Sequence, residues 1–228
     1  MIIESFNPTL PVRRDNDILR HTHRMGLTTP PALHRLFLPT KSINAVSQIT
    51  TRLVNAGYLA RHRLAHRTFY YTLGMRSVRH FGAPRSKAMP RGEQVLPIDL
   101  GTLAFCCLGD VVRRRLLPEE IVSQYPWFPK PFLGQPFCWV VEGAAKRLAM
   151  VHVEMSEFPE QVVRKHLRQV HSLRDCQEFA KLIDEDQFML VTVTTTAERR
   201  DSLVAAFTEN PWYPSFLVLD YPDLCNLL

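Results

Sequence analysis

The charge of this 228-residue chain is divided between its halves. Residues 1–92 hold fifteen Lys+Arg against three Asp+Glu, a front of +12; residues 93–228 hold thirteen against nineteen, a back of −6. Such a partition implies two parts with different tasks, and a polyanion, most simply nucleic acid, as the partner of the first. The competing reading is a merely solvated basic face. Against it, the positive charge falls inside a helix-turn-helix pattern.

Composition bounds the rest. At 46% hydrophobic the chain can build a packed core and is too apolar for disorder. No run of eighteen apolar residues occurs, so no membrane partner is expected. The first residues, MIIESFNPTLPVRRDND, have no apolar h-region, so a signal peptide is not expected and a cytoplasmic location is. Cys106, Cys107, Cys138, Cys176 and Cys225 are odd in number and form no CxxC, which suits free thiols in a reducing compartment. None of the nine histidines shows an HExxH or other paired ligand spacing, so neither a metal nor a cofactor is expected. There is also no GxSxG, P-loop or GxGxxG. Cys106-Cys107 lies in an apolar segment and reads as core rather than nucleophile.

Periodicity places the elements. Ile18, Leu19, Thr22 and Met25 follow helical spacing, and Gly26 stops that helix. Thr28 or Thr29 caps the next, with Pro30-Pro31 in its first turn and Ala32, Leu33, Leu36 and Phe37 as its buried face. A third helix runs from about Ser42 to Ala56, burying Val46, Ile49, Thr50, Leu53 and Val54, with Gly57 as a left-handed C′ residue. Strands Leu59–Leu64 and Thr68–Leu73 follow, joined by the basic tip Ala65-His66-Arg67. Three helices and a basic hairpin make a winged helix-turn-helix. Residues 1–82 form this domain, 83–95 a Pro- and Gly-rich linker, and 96–228 a second domain. The second domain reads as a helix over Leu96–Val112, a helix from Leu117, a hairpin of Phe137–Val141 and Leu148–Met155, a basic helix Pro159–Leu173, a strand Gln187–Thr196, a helix Ala197–Glu209 and a strand Ser215–Leu219. The fold class is therefore α+β, the second domain an α/β arrangement with a mixed sheet.

The third helix is the candidate DNA reader. Asn44 and Gln48 can pair bidentately with adenine and Arg52 with guanine; Thr51 lies beside them, and Lys41 and Ser42 suit phosphates. An ordinary solvent face alternates Glu with Lys, and this helix carries no acid. The wing offers Arg61, Arg63, His66 and Arg67 to the backbone or minor groove; a charged edge that blunts aggregation is the other reading. Arg113-Arg114-Arg115 either extends this track or forms a solvated helix end.

In sequence, LTTPPALHRLFLP, ITTRLVNAGYLARHR and RTFYYTL resemble the winged helix of the replication-relaxation family of mobile-element proteins. The downstream VHVEMSE, VRKHLRQV and FMLVTVTTTAERRDSLVAAF resemble that family's C-terminal domain, which is related to the PD-(D/E)xK nuclease fold. The resemblance implies a duplex-DNA-binding regulator of transcription, replication or transfer on a plasmid, phage or integrative element. It implies a nuclease-like second domain in which the metal-binding Asp is replaced by Phe137, after Pro136, and the lysine by Ser156. Glu142, Glu154 and Glu157 are the remaining carboxylates, with Glu154 the catalytic candidate if the domain is active. The expectation is an inactive scaffold that binds a protein partner or a second copy, in a homodimer; the alternative is a metal-dependent nuclease targeted by the winged helix.

Overall fold

A computed structural model describes residues 13–65, 68–143, 145–155, 158–210 and 214–227. The chain is α+β and divides into two compact units, Met1–Arg63 with Phe69–Pro90, and Leu64–Thr68 with Arg91–Leu228. The tip residues His66 and Arg67, and Ser156 and Glu157 of the second unit, lie outside the described residues.

The first unit contains α1 (Arg13–Met25), α2 (Pro30–Phe37), α3 (Ile43–Asn55), the strands β1 (Leu59–Ala65) and β2 (Thr68–Leu73), and α4 (Met75–His80). Thr29 stands at the α2 N-cap with the two prolines behind it, as their fixed φ favours. The end of α3 follows from one glycine. Gly57 has φ 74°, and its N–H donates to Val54 O while that of Tyr58 donates to Leu53 O, the paired bonds of a Schellman ending. A side chain at Gly57 would carry a left-handed penalty, so the helix stops there and β1 begins. The core joins Ile18 and Leu19 of α1, Leu33 of α2, Val46, Ile49 and Leu53 of α3, and Leu59 and Tyr71 of the hairpin. Thr28 and Tyr71 exchange two backbone hydrogen bonds at 2.8 Å, which tie the loop before α2 to β2. The segment expected to be a linker begins folded: Arg85–Ala88 is a 3-10 turn, and Ala88 packs with Leu73 and Val78. Its Pro and Gly content suggests a spacer, but one small apolar residue suffices to seat it.

His21 of α1 packs edge-on to Phe37, ring centroids 5.6 Å apart, and burial lowers its pKa to about 4. The unfolded chain, with an ordinary value near 6.5, therefore binds the proton more tightly. Stability carried by neutral His21 is complete above that value and is lost as pH falls toward 4. We expect this unit to be about 2 kcal/mol less stable at pH ~5 than at pH ~7. Native-state amide exchange of α1–α3 at the two pH values measures this, and His21→Gln should flatten the difference. Equal protection at both would overturn it.

The second unit opens with α5 (Val95–Cys107), whose residues Asp99–Cys107 are all buried. It ends earlier than Leu96–Val112, and the remainder forms β3 (Val112–Arg115). There follow α6 (Pro118–Gln124), β4 (Phe137–Glu142), β5 (Ala145–Val153), α7 (Pro159–Arg174), α8 (Gln177–Asp184), β6 (Phe188–Thr194), α9 (Ala197–Thr208) and β7 (Ser215–Asp220). The mixed sheet has the order β3-β4-β5-β6-β7: β3, β4 and β5 are antiparallel neighbours, β5, β6 and β7 parallel ones. Sequence periodicity had not distinguished β3 or separated α8 from its surroundings. A four-residue Val-Arg-Arg-Arg strand and an eight-residue helix are too short to show a clear period.

Alternation along β5 assigns its two faces. Leu148 and Met150 join Val170 and Leu173 of α7 and Phe179 of α8 in the main core. Val153 on the opposite face lies against Gly101 of α5, where an added Cβ would collide with its methyls, so the glycine permits the close approach. Cys106, Cys107 and Cys138 are buried free thiols, with Cys106 and Cys138 sulfurs 3.4 Å apart. The Cys138 hydrogen bond and burial push the Cys106 thiol up, and burial does the same for Cys107, so both stay protonated core groups rather than nucleophiles. No described helix is long and apolar enough to cross a membrane.

Candidate functional site

Two polar constellations stand out, one in each unit. The first is the outer face of α3. Val46, Ile49, Thr50 and Leu53 are buried, which turns Asn44, Ser47, Gln48, Thr51, Arg52 and Asn55 outward. Ser47, Gln48, Thr51, Arg52 and Asn55, with Arg76, line an open groove of about 790 Å³. Lys41 and Ser42 are exposed ahead of the helix; Ser42 is its N-cap, with no side-chain capping bond, and Lys41 O receives the ring of His34 at 2.6 Å. Arg61 and Arg63 are exposed on β1, with the Arg61 guanidinium 4.7 Å from the centre of the Phe69 ring.

Arg52 also has a partner that spacing did not reveal. Its Nη2 donates to Oδ2 of Asp15 at 2.7 Å, and Asp15 is fully buried in the first turn of α1. Asp15 is a buried anchor, and Arg52 is the cation that neutralises it. The guanidinium has five N–H donors, so this bond leaves others for the groove.

The triple arginine is not a helix end. Arg113, Arg114 and Arg115 lie on β3, and each is engaged inside its own unit. Arg113 donates to Phe105 O at 2.7 Å and sits over that ring; Arg114 pairs with Glu120 at 2.6 Å; Arg115 pairs with buried Asp99 at 2.8 Å, which Arg91 also approaches at 3.2 Å. Alternation along a strand sends neighbouring arginines to opposite sides, where each meets a different acceptor.

The second constellation sits where the parallel strands end. On the face beneath α7 the rows across the parallel strands turn polar step by step: Met150 pairs with Leu190 and Leu190 with Phe216, then His152 with Thr192 and Thr192 with Val218, then Thr194 with Asp220. Glu154 extends β5 by one more bond, its N–H donating to Val193 O at 2.9 Å. The carboxyl end of parallel strands is where open α/β sheets hold their ligands. From above, α7 contributes His166, which occupies an apolar position between Val162 and Val163 on one turn and Val170 on the next.

His152, Glu154 and His166 are all buried, and their ligand atoms lie within 4.8 Å of one another. The two imidazole centroids are 4.2 Å apart, and His166 Nε2 is 3.3 Å from Glu154 Oε1. Lys165 Nζ donates to the same oxygen at 2.6 Å. Burial alone would raise the Glu154 pKa; the His166 and Lys165 hydrogen bonds, and the Lys165 charge, outweigh it and bring it below the ordinary value. Burial, with the nearby His166 and Lys165, depresses the pKa of His152. A cavity of about 160 Å³ is lined by His152, Glu154, Lys165, Ile98, Gln135 and Gln169 among others.

Of the candidate carboxylates among the described residues, Glu154 enters this cluster and Glu142 does not. Glu142 ends β4 and is exposed at the hairpin. Phe137 is fully buried in the main core with Phe128 and Phe179, which explains an apolar ring there. The two histidines escaped sequence reading because ligand spacing was sought on helices. His152-Val153-Glu154 is an i, i+2 pair, which shares a face only on a strand, and His166 arrives from the next helix. A histidine in an otherwise apolar helical stripe was the available signal. No family model, curated protein or solved structure matches this chain.

Proposed function

We propose that the chain is a sequence-specific duplex-DNA-binding regulator, acting in transcription, replication or transfer on a mobile element, with the first unit a winged helix-turn-helix and α3 its reading helix. The observation that carries this is the acid-free outer face of α3, whose Gln48, Thr51, Arg52 and Asn55 line an open groove beside Arg76. Amide and guanidinium groups on one helix face match the edges of adenine and guanine in the major groove. Exposed Lys41, Ser42, Arg61 and Arg63 suit phosphates on either side. The second unit serves as a nuclease-like scaffold without catalysis, and the protein acts as a homodimer, because one reading helix covers only a short half-site.

Selected binding sites recovered from random duplexes provide the test. Gln48→Ala should reduce discrimination between selected and random DNA by about 1–3 kcal/mol, since a bidentate base contact is lost. Arg61→Ala should weaken both equally. Equal effects of the two substitutions on both DNAs would overturn the assignment of reader and wing.

A metal-dependent nuclease is the second reading. It is favoured by Lys165, which brings an ammonium to Glu154 from α7 where Ser156 supplies none. The expected outcome remains no nicking of supercoiled DNA with Mg²⁺, because buried Phe137 offers no second carboxylate and two oxygen-rich ligands are the minimum such chemistry uses. Mg²⁺-dependent nicking that disappears in Glu154→Ala would put the nuclease first.

A further inference from the structure

The cluster at the carboxyl end of β5 has donors of an uncommon kind for a buried place between sheet and helix. Two imidazoles and one carboxylate converge from two elements, and each is at most 7% exposed. The hydrogen bonding within the cluster is incomplete. His152 Nε2 and His166 Nδ1 are buried with no hydrogen-bond partner among the described residues, and so is Oε1 of Gln169, which lines the same cavity. A buried polar atom left unpaired costs about 1–3 kcal/mol, and His152 Nε2 is the one of the three that a cation shared with Glu154 Oε1 and His166 Nε2 would satisfy directly.

We infer that His152, Glu154 and His166 form a binding site for a divalent transition cation of the zinc class, which fastens α7 to the end of β5. Imidazole nitrogen with one carboxylate suits zinc, cobalt or nickel, whereas Mg²⁺ and Ca²⁺ require oxygen shells that this cluster does not offer. The spacing fits as well. Bonds of about 2.0–2.1 Å set neighbouring ligand atoms about 3.3 Å apart in a tetrahedron, and the His166–Glu154 pair already stands at 3.3 Å. His152 supplies the third ligand atom, within 4.8 Å of the other two. Three protein ligands leave a fourth position, and the cavity beside His152 and Glu154 has room for a water there. Lys165, half-exposed on the outer side of α7, holds the carboxylate in orientation as an outer partner. The site is independent of DNA reading by α3.

The test uses the full chain, stripped with a chelator, and Co²⁺ as a coloured substitute for Zn²⁺. Expected are stoichiometric Co²⁺ binding with intense visible d–d absorption of a tetrahedral site, displacement by Zn²⁺ and indifference to Mg²⁺. In the unmutated protein, ring-nitrogen NMR signals of two histidines should move on adding Zn²⁺. Glu154→Gln keeps the side-chain shape and should weaken binding by at least about 100-fold, as should His152→Gln, while exposed His171→Gln should change nothing. No absorption band, an octahedral band only, or unshifted histidine signals would each overturn the site. So would binding that survives both cluster substitutions, which would place it on surface histidines or the Cys176 and Cys225 thiols. Loss of DNA binding with an intact cobalt spectrum would sink the regulator reading and leave this site standing.

Discussion

Duplex-DNA affinity of the full chain should fall about a thousandfold between roughly 50 and 200 mM salt. The first 92 residues carry +12; Arg52 and Arg76 line the α3 groove, and Lys41, Arg61 and Arg63 are further exposed basic side chains of the first unit. Each neutralised phosphate releases condensed counterions, so six contacts or so give a slope near −5 in log K against log salt. Fluorescence anisotropy on a labelled duplex measures the slope. Replacing Arg61 and Arg63 together by Ala should make it shallower by about 2. An affinity that stays flat over the same range would refute DNA as the partner of the basic front.

Arg52→Ala should destabilise the first unit by about 3 kcal/mol, quite apart from any loss of base reading. Asp15 is fully buried, its Oδ2 is held by Arg52 at 2.7 Å, and its Oδ1 has no hydrogen-bond partner among the described residues. Removing the guanidinium leaves a carboxylate out of water with nothing opposite it. Arg52 is itself half-exposed, so solvent relieves part of the cost and the lower end of the range for broken buried pairs applies. For a unit of this size the loss lowers the melting temperature by roughly 12–24 °C. Asp15→Asn added to Arg52→Ala should recover much of it, since the second change removes the stranded charge. If the single and double variants melt alike, the pair is not what holds α1 to α3. The DNA affinity of Arg52→Ala is meaningful only once this stability is matched, for instance against Arg52→Lys.

Several elements were legible because their signals are local. The ends of α2 and α3 follow from Pro30-Pro31 and Gly57, whose backbone preferences act without the rest of the chain. The hairpin and the β5–β6 strands show the period of two or the apolar run of strands with a buried face. The outward face of α3 follows once Val46, Ile49 and Leu53 are turned inward, because a helix with 3.6 residues per turn leaves no other place for Gln48 and Thr51. Less visible were β3 and α8, whose short lengths hold too few residues for a period, and the seat that Ala88 takes on the first unit.

The sequence alone determined the α+β class, the charge divided between two halves and the polar composition of the α3 face, since these depend on residue type and on neighbours within a turn or two. Only the tertiary structure decided which charges meet. Asp15 and Arg52 are 37 residues apart, and one strand and the helix after it deliver His152, Glu154 and His166 to one place. It also spent the three arginines of β3 on Phe105, Glu120 and Asp99. Propensity acts over a few residues, whereas the pairing of buried polar groups is a long-range requirement, met only when the low-dielectric interior forces each charge to find its partner.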